Sequence, residues 1–243
     1  MKSQQFSFPL FASLVTFVAV VIMFALGLWQ LERAQEKTER LLSIQQAEKT
    51  SQISLEQVLT NNLDSMLDMP ITFEGQADRE RYFLLDNKIH QGRVGYQVLV
   101  PIQTQSGTLL ANYGWVAATN SRSVLPKIEI ASDLKSYSGI VSIPTNNIMV
   151  KETALIDDKW PKLLQQTDLK IVQQHYQGAL LPIVVLLTPD LSSGFVRNWQ
   201  PVVMPPEKHM AYAIQWFLLA LAAVVIFIVA QRRKMKRNNS EYN

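Results

Sequence analysis

LFASLVTFVAVVIMFALGLW, residues 10–29, and MAYAIQWFLLALAAVVIFIVA, residues 210–230, decide how this 243-residue chain is read. The first is 20 residues without a charge and the second is 21. At about 1.5 Å of rise per residue, either one as a helix crosses the roughly 30 Å hydrocarbon core of a bilayer. The sequence between them is polar enough for water. A membrane protein is therefore expected, with two transmembrane helices flanking a soluble domain. Residues 1–9 form a cytoplasmic N-terminus, 10–30 the first span, 31–208 the extracytoplasmic domain, 209–230 the second span and 231–243 a basic cytoplasmic tail.

Charge sets the expected orientation. The chain carries +3, yet residues 32–208 hold 17 Lys/Arg against 19 Asp/Glu, a net of −2. The positive charge sits at the end, where Arg232, Arg233, Lys234, Lys236 and Arg237 fall within six residues. Lys and Arg beside a span stay cytoplasmic, so the C-terminus is inside, and two spans return Lys2 to the same side. The first segment exceeds the roughly 7–15-residue apolar core of a signal peptide and lacks a small-residue cleavage site, so it reads as an uncleaved anchor. The short stretch before it leaves no room for a transit peptide. A multi-pass protein of the bacterial inner membrane, with a periplasmic central domain, is expected. The basic tail is a topology anchor against anionic membrane lipid, and no nucleic-acid partner is expected. With no cysteine, the chain excludes disulfides, thiolate metal sites, covalent c-type haem attachment and cysteine nucleophiles.

About 178 residues separate the spans, enough for one domain with a real core. Residues 29–48 are rich in helix formers, with Glu32/Glu36 and Arg33/Lys37 at helical spacing, so the first helix continues past the span. Ser54 to Gln57 reads as a capping box opening a short helix. Short β-type runs follow at 71–75, 82–85, 96–100 and 108–112, punctuated by turn residues at Asp86-Asn87, Gly92 and Ser106-Gly107. Two more strands are expected at 139–143 and 181–187, the latter an unbroken apolar run suited to a doubly covered position. Residues 167–176 form a helix with Thr167 as N-cap. The fold class is α+β, mainly antiparallel β or barrel-like. No internal repeat is present.

No nucleophile elbow, zincin motif or phosphate-cradling loop occurs, so no enzyme is expected. Of three histidines, His90 lies in a turn region and reads as solvated, and His175 closes the expected helix, where the C-terminal dipole suits it. His209 stands at the outer entry of the second span with Tyr212 and Trp216 at i+3 and i+7. A neutral imidazole there is available as a haem-iron ligand with aromatics to pack on a porphyrin. An interfacial aromatic belt accounts for the same residues. The first span ends at that face with Trp29 and Gln30, then Arg33 and Lys37. Gln30, Arg33 and Lys37 either snorkel to headgroups or pair with carboxylates such as haem propionates.

These residues resemble the Surfeit locus protein 1 family, bacterial members included. LGLWQLER at 26–33 with Lys37 is similar to its L-G-x-W-Q-L-x-R-x-x-x-K signature. GRVGYQVLVP at 92–101 resembles its G-x-x-G-Y-x-V-x-x-P motif, and PEKHMAYAIQWF at 206–217 its last-span block. One departure stands at 112–117, where NYGWVA replaces the usual N-R-G-W-V-P. The resemblance implies a non-enzymatic biogenesis factor that assists delivery and insertion of haem a into the catalytic subunit of cytochrome c oxidase. It implies His209 as the haem-iron ligand; Tyr212, Trp216, Trp29, Gln30 and Arg33 are the candidate cofactor-binding residues that spacing places at the same membrane face. Partners would be that catalytic subunit and haem A synthase. A cofactor-free membrane-tethered scaffold for assembling a respiratory complex remains the alternative.

Overall fold

A computed structural model describes residues 10–48, 52–121, 124–152 and 159–240. Lys2 and the rest of the expected cytoplasmic N-terminus lie outside the described residues. In chain order the elements are α1 (Leu10–Glu48), β1 (Ile53–Ser54), α2 (Leu55–Thr60), a 3-10 turn at Leu63–Met66, β2 (Pro70–Ala77), β3 (Phe83–His90), β4 (Arg93–Thr104), β5 (Gly107–Ala117), β6 (Lys135–Ser142), β7 (Lys162–Leu164), α3 (Leu169–Tyr176), β8 (Leu180–Leu187) and α4 (Pro206–Ser240). They divide into two compact units: residues 10–43 with 202–240, and Ile44–Pro201.

The first unit is a pair of long helices. α1 has 39 residues and α4 has 35, with Pro206 opening α4 at a position where its missing N–H costs nothing. Only 6% of the apolar window in α1 and 11% of that in α4 is buried within the protein. A core helix of a soluble protein would hide such surface; this much exposed apolar area, long enough to cross a bilayer, is what lipid covers. The helices anchor the chain in a membrane. The helical continuation expected from residue 29 is present through Glu48.

The second unit is one eight-stranded sheet in the order β1-β2-β6-β8-β5-β4-β3-β7. It curls until β2 also meets β4, through Gln76↔Gln103 and Ala77↔Ile102. β2, β6, β8, β5 and β4 thus close a five-stranded barrel, with β3 and β7 continuing from β4. Most pairings are antiparallel, but β8 runs parallel to β5, β1 to β2 and β7 to β3.

Period-2 alternation builds the core. Tyr96, Val98, Val100 and Ile102 of β4 point to the same cluster as Leu109 and Ala111 of β5 and Ile183, Val185 and Leu187 of β8. The intervening Leu99, Leu110 and Val184 join Phe83 and Leu85 of β3 in a second cluster, which Val172 and Tyr176 of α3 cover. β8 is therefore covered on both faces, as its apolar run predicts. Each fully buried Val, Leu or Ile contributes roughly 1.5–3 kcal/mol of transfer free energy, so the two layers hold the barrel shut.

The capping box is present: Gln57 N–H donates to Ser54 Oγ at 3.3 Å, and Ser54 N–H to Gln57 Oε1 at 2.9 Å. Two local readings need correction. The N-cap of α3 is Asp168, not Thr167, because the Asp168 carboxylate accepts from Lys170 N–H at 2.8 Å. Asp86-Asn87 is no turn; it is a bulge inside β3, where the register against β4 shifts and Asn87 takes φ 57°. The turn comes later, at Gln91-Gly92, where both central residues have positive φ (47° and 76°) as a two-residue hairpin requires.

Tyr113, where the family motif carries arginine, lies in a bulge of β5 and is buried at 4% exposure. Its hydroxyl donates to Tyr137 at 3.2 Å, and burial together with that neighbour pushes its pKa well above the ordinary phenol range. Arg197, arriving from the segment after β8, donates from Nε to the Tyr113 carbonyl at 2.7 Å. At this position the chain uses an inward aromatic for packing.

Candidate functional site

The residues singled out at the membrane face all belong to the helix pair. α1 turns a stripe of small and polar residues inward, with Gly27 and Ala34 buried and Gln30 and Lys37 half-buried. On α4 the matching stripe is His209, Ala213 and Ala220, all buried, with Trp216 and Phe217 half-buried. Gly27 and Ala34 are seven residues apart, as are Ala213 and Ala220. Small residues at that spacing let two helices approach closely along a seam.

The helices approach closely at Gly27. A Cβ added there would lie 2.4 Å from the Phe217 ring, and Phe217 in turn packs on Phe24 with ring centroids 5.3 Å apart. One turn along α1, Gln30 Oε1 stands 2.7 Å from His209 Nδ1. An amide oxygen only accepts, so the ring donates from Nδ1–H, and in the neutral ring Nε2 then carries the lone pair. His209 is 8% exposed, yet it has a polar partner across the helix pair.

Trp29, Arg33 and Tyr212 face away from the seam. Trp29 is 46% exposed and Tyr212 44%. Arg33 donates from Nη1 to Glu36 Oε2 at 2.7 Å and lies over the Trp29 ring at 5.7 Å. That ion pair is exposed at both partners, so it contributes under about 1 kcal/mol and leaves the guanidinium exchangeable. The structure brings His209 and Gln30 together. Trp29 and Trp216 are not brought together, because Trp29 points outward. Sequence reasoning also missed Gly27, Ala34, Phe24 and Phe217, although the heptad spacing of small residues was a usable signal.

A haem carrier must offer an axial ligand, apolar surface for the macrocycle and polar groups for two propionates. The donor set fits on the first count: a single imidazole with one ring nitrogen already hydrogen-bonded is the usual arrangement of a ligating histidine. Trp29, Tyr212 and the exchangeable Arg33 are surfaces of the other two kinds, on the outer faces of the helices rather than in the seam that holds His209. Among the described residues no group of three or more His, Asp or Glu could hold a bare metal ion. The remaining histidines have other surroundings. His90 packs on Trp115 with centroids 5.2 Å apart, and His175 is buried in the last turn of α3.

Sequence comparison bears on the same residues. The model of the SURF1 family matches residues 17–221, which take in His209, Gln30 and the entire β unit. The chain belongs to the SURF1 family. It is 24% identical over 237 residues to the SURF1-like protein of Rickettsia felis, covering 90% of this chain and 96% of that one. Against the SURF1-like protein of Rickettsia conorii it is 22% identical over 232 residues, with 91% of each chain covered. The SURF1 family is linked to cytochrome oxidase assembly and is not a known enzyme family. The resemblance carried by the three motifs is thus upheld across both terminal helices and the barrel.

Proposed function

We propose that this SURF1 protein binds haem a in transit on its helix pair and assists its delivery to the catalytic subunit of cytochrome c oxidase. The observation that carries the reading is the buried His209 imidazole, hydrogen-bonded through Nδ1 to Gln30, on a membrane helix of an oxidase-assembly family. Haem a is the cargo. Its apolar tail and macrocycle suit the lipid-facing surface of α1 and α4, and its propionates suit Arg33 at the polar end. A bound haem would offer an iron for His209 Nε2 to coordinate; the chain itself has only to hold, orient and release. Haem A synthase as donor and the oxidase subunit as acceptor are the partners this role requires.

The proposed setting is the bacterial inner membrane, with both termini cytoplasmic and the barrel in the periplasm. Arg232, Arg233, Lys234 and Lys236 at the end of α4 support that orientation. A reporter active only outside the cytoplasm should be active when inserted in the Thr104–Gly107 hairpin and silent when fused after Arg237. The reverse pattern would invert the topology.

Deleting the gene tests delivery. The oxidase should lose haem a and activity, while transcripts of its subunits stay at wild-type level. Full haem a occupancy in the deletion strain would refute the role. The scaffold reading has one observation on its side: Gly27 and Phe217 close the pair tightly, leaving no room there for a macrocycle between the helices. It requires that oxidase subunits co-purify with a protein that has no Soret band.

A further inference from the structure

We propose that Gln30 is the positioning residue for His209, fixing the imidazole in the Nδ1–H tautomer so that Nε2 is presented to iron. The inference rests on the haem reading above. By spacing, Gln30 groups with Arg33 and Lys37 as a headgroup or propionate contact. The structure instead spends its amide oxygen on His209 Nδ1 at 2.7 Å.

The consequence is chemical. A neutral imidazole can carry its proton on either nitrogen, and only the bare nitrogen binds a metal. An acceptor at Nδ1 removes that ambiguity, locks the ring about its axis and raises the basicity of Nε2. Burial strengthens the effect, because water cannot compete at a ring that is 8% exposed. The ring and its acceptor sit on different helices, so the ligand is complete only while α1 and α4 stay paired. The acceptor is also neutral. A carboxylate would grip Nδ1–H more strongly through a charge-assisted bond. An amide orients the ring with a weaker push on the iron, which suits a ligand that must give its cargo up.

The test uses the full chain in detergent micelles and iron protoporphyrin IX as the probe. In the haem-free protein, nitrogen NMR of 15N-labelled histidine should show His209 protonated at Nδ1. Gln30→Met, which keeps the bulk and removes the acceptor, should shift the population toward the Nε2–H tautomer. The same variant should weaken porphyrin binding by roughly ten- to a hundredfold, the usual effect of losing such a partner. Gln30→Glu should restore binding and lower the iron reduction potential below that of wild type. If Gln30→Met leaves tautomer and affinity unchanged while His209→Ala abolishes binding, Gln30 has no positioning role and the haem reading stands. If affinity falls with no change of tautomer, the residue only packs, and the inference fails. If His209→Ala keeps its porphyrin, both the reading and the inference are lost.

Discussion

Cells whose only copy of this protein carries His209→Ala are expected to make oxidase as poor in haem a as the deletion strain, with the variant protein present at normal level. The two halves of that expectation have separate causes. His209 lies at the polar end of α4, and removing an imidazole there lowers neither span's hydrophobicity, so insertion is unaffected. The seam below it, built on Gly27, Ala213, Phe24 and Phe217, does not involve the ring. Gln30 is left without its partner but is only half-buried, so once the ring that shields it is gone water can reach its amide and replace a hydrogen bond worth about 1 kcal/mol. Iron loses its ligand entirely. His175→Ala is the control: that ring is buried on α3 in the barrel unit and should leave haem delivery intact. Quantifying haem a in the oxidase and the variant by immunoblot checks both halves. Normal oxidase haem with His209→Ala would remove the residue from the mechanism.

Gly95→Val is expected to be the most damaging single change in the barrel. A Cβ at Gly95 would lie 2.1 Å from the Val116 carbonyl oxygen and 2.6 Å from the Trp115 ring. The first contact is with backbone of the paired strand and cannot be relieved by a rotamer change. Trp115 has no freedom to yield either, since its Nε1–H donates to the Lys88 carbonyl at 2.9 Å. Overpacking of this kind costs on the order of 3 kcal/mol, a large part of the ~5–15 kcal/mol that holds a domain folded. The melting temperature of the barrel should fall by roughly 6–12 °C for a domain of this size. Gly92→Ala is the comparison. Gly92 has open space around its Cα but φ 76°, so its cost is only the left-handed strain of about 1–2 kcal/mol. Circular dichroism melts of the full chain measure both, and a Gly95→Val melt matching wild type would contradict the packing described here.

These two glycines show how far the sequence could be read. GRVGYQVLVP is recognisable as a motif, but only the structure separates Gly92, needed for its turn, from Gly95, needed because the Trp115 ring lies across it. The spans were legible because an uncharged run of 20 residues carries its signal without any partner. The longer strands were legible through alternation. β1 and β7, of two and three residues, are too short to show a period and exist only because β2 and β3 pair with them. Barrel closure was illegible for a related reason. It rests on two residue pairs between β2 and β4, a long-range event that leaves no local trace.

At the site, helical geometry explains what spacing alone could not. Positions i and i+7 differ by only about 20° around a helix, but i+3 is offset by about 60° and i+1 by about 100°. Gln30 and Lys37 therefore share the seam while Arg33 turns out of it and Trp29 faces away. On α4, Trp216 stays near His209 and Tyr212 swings outward. An i, i+3, i+7 set looks like one face on paper, yet a tight antiparallel contact is narrower than that face. The His209–Gln30 bond crosses 179 residues of sequence, and no single-helix pattern could have announced it.

The claim that the helix pair carries haem is tested most directly by the absorption spectrum of the full-length protein purified from cells that make haem a. A Soret band should be present in the wild-type protein and absent from His209→Ala purified in equal amount. A wild-type protein that co-purifies with oxidase subunits but shows no Soret band would contradict haem carriage and leave the tethered scaffold in its place.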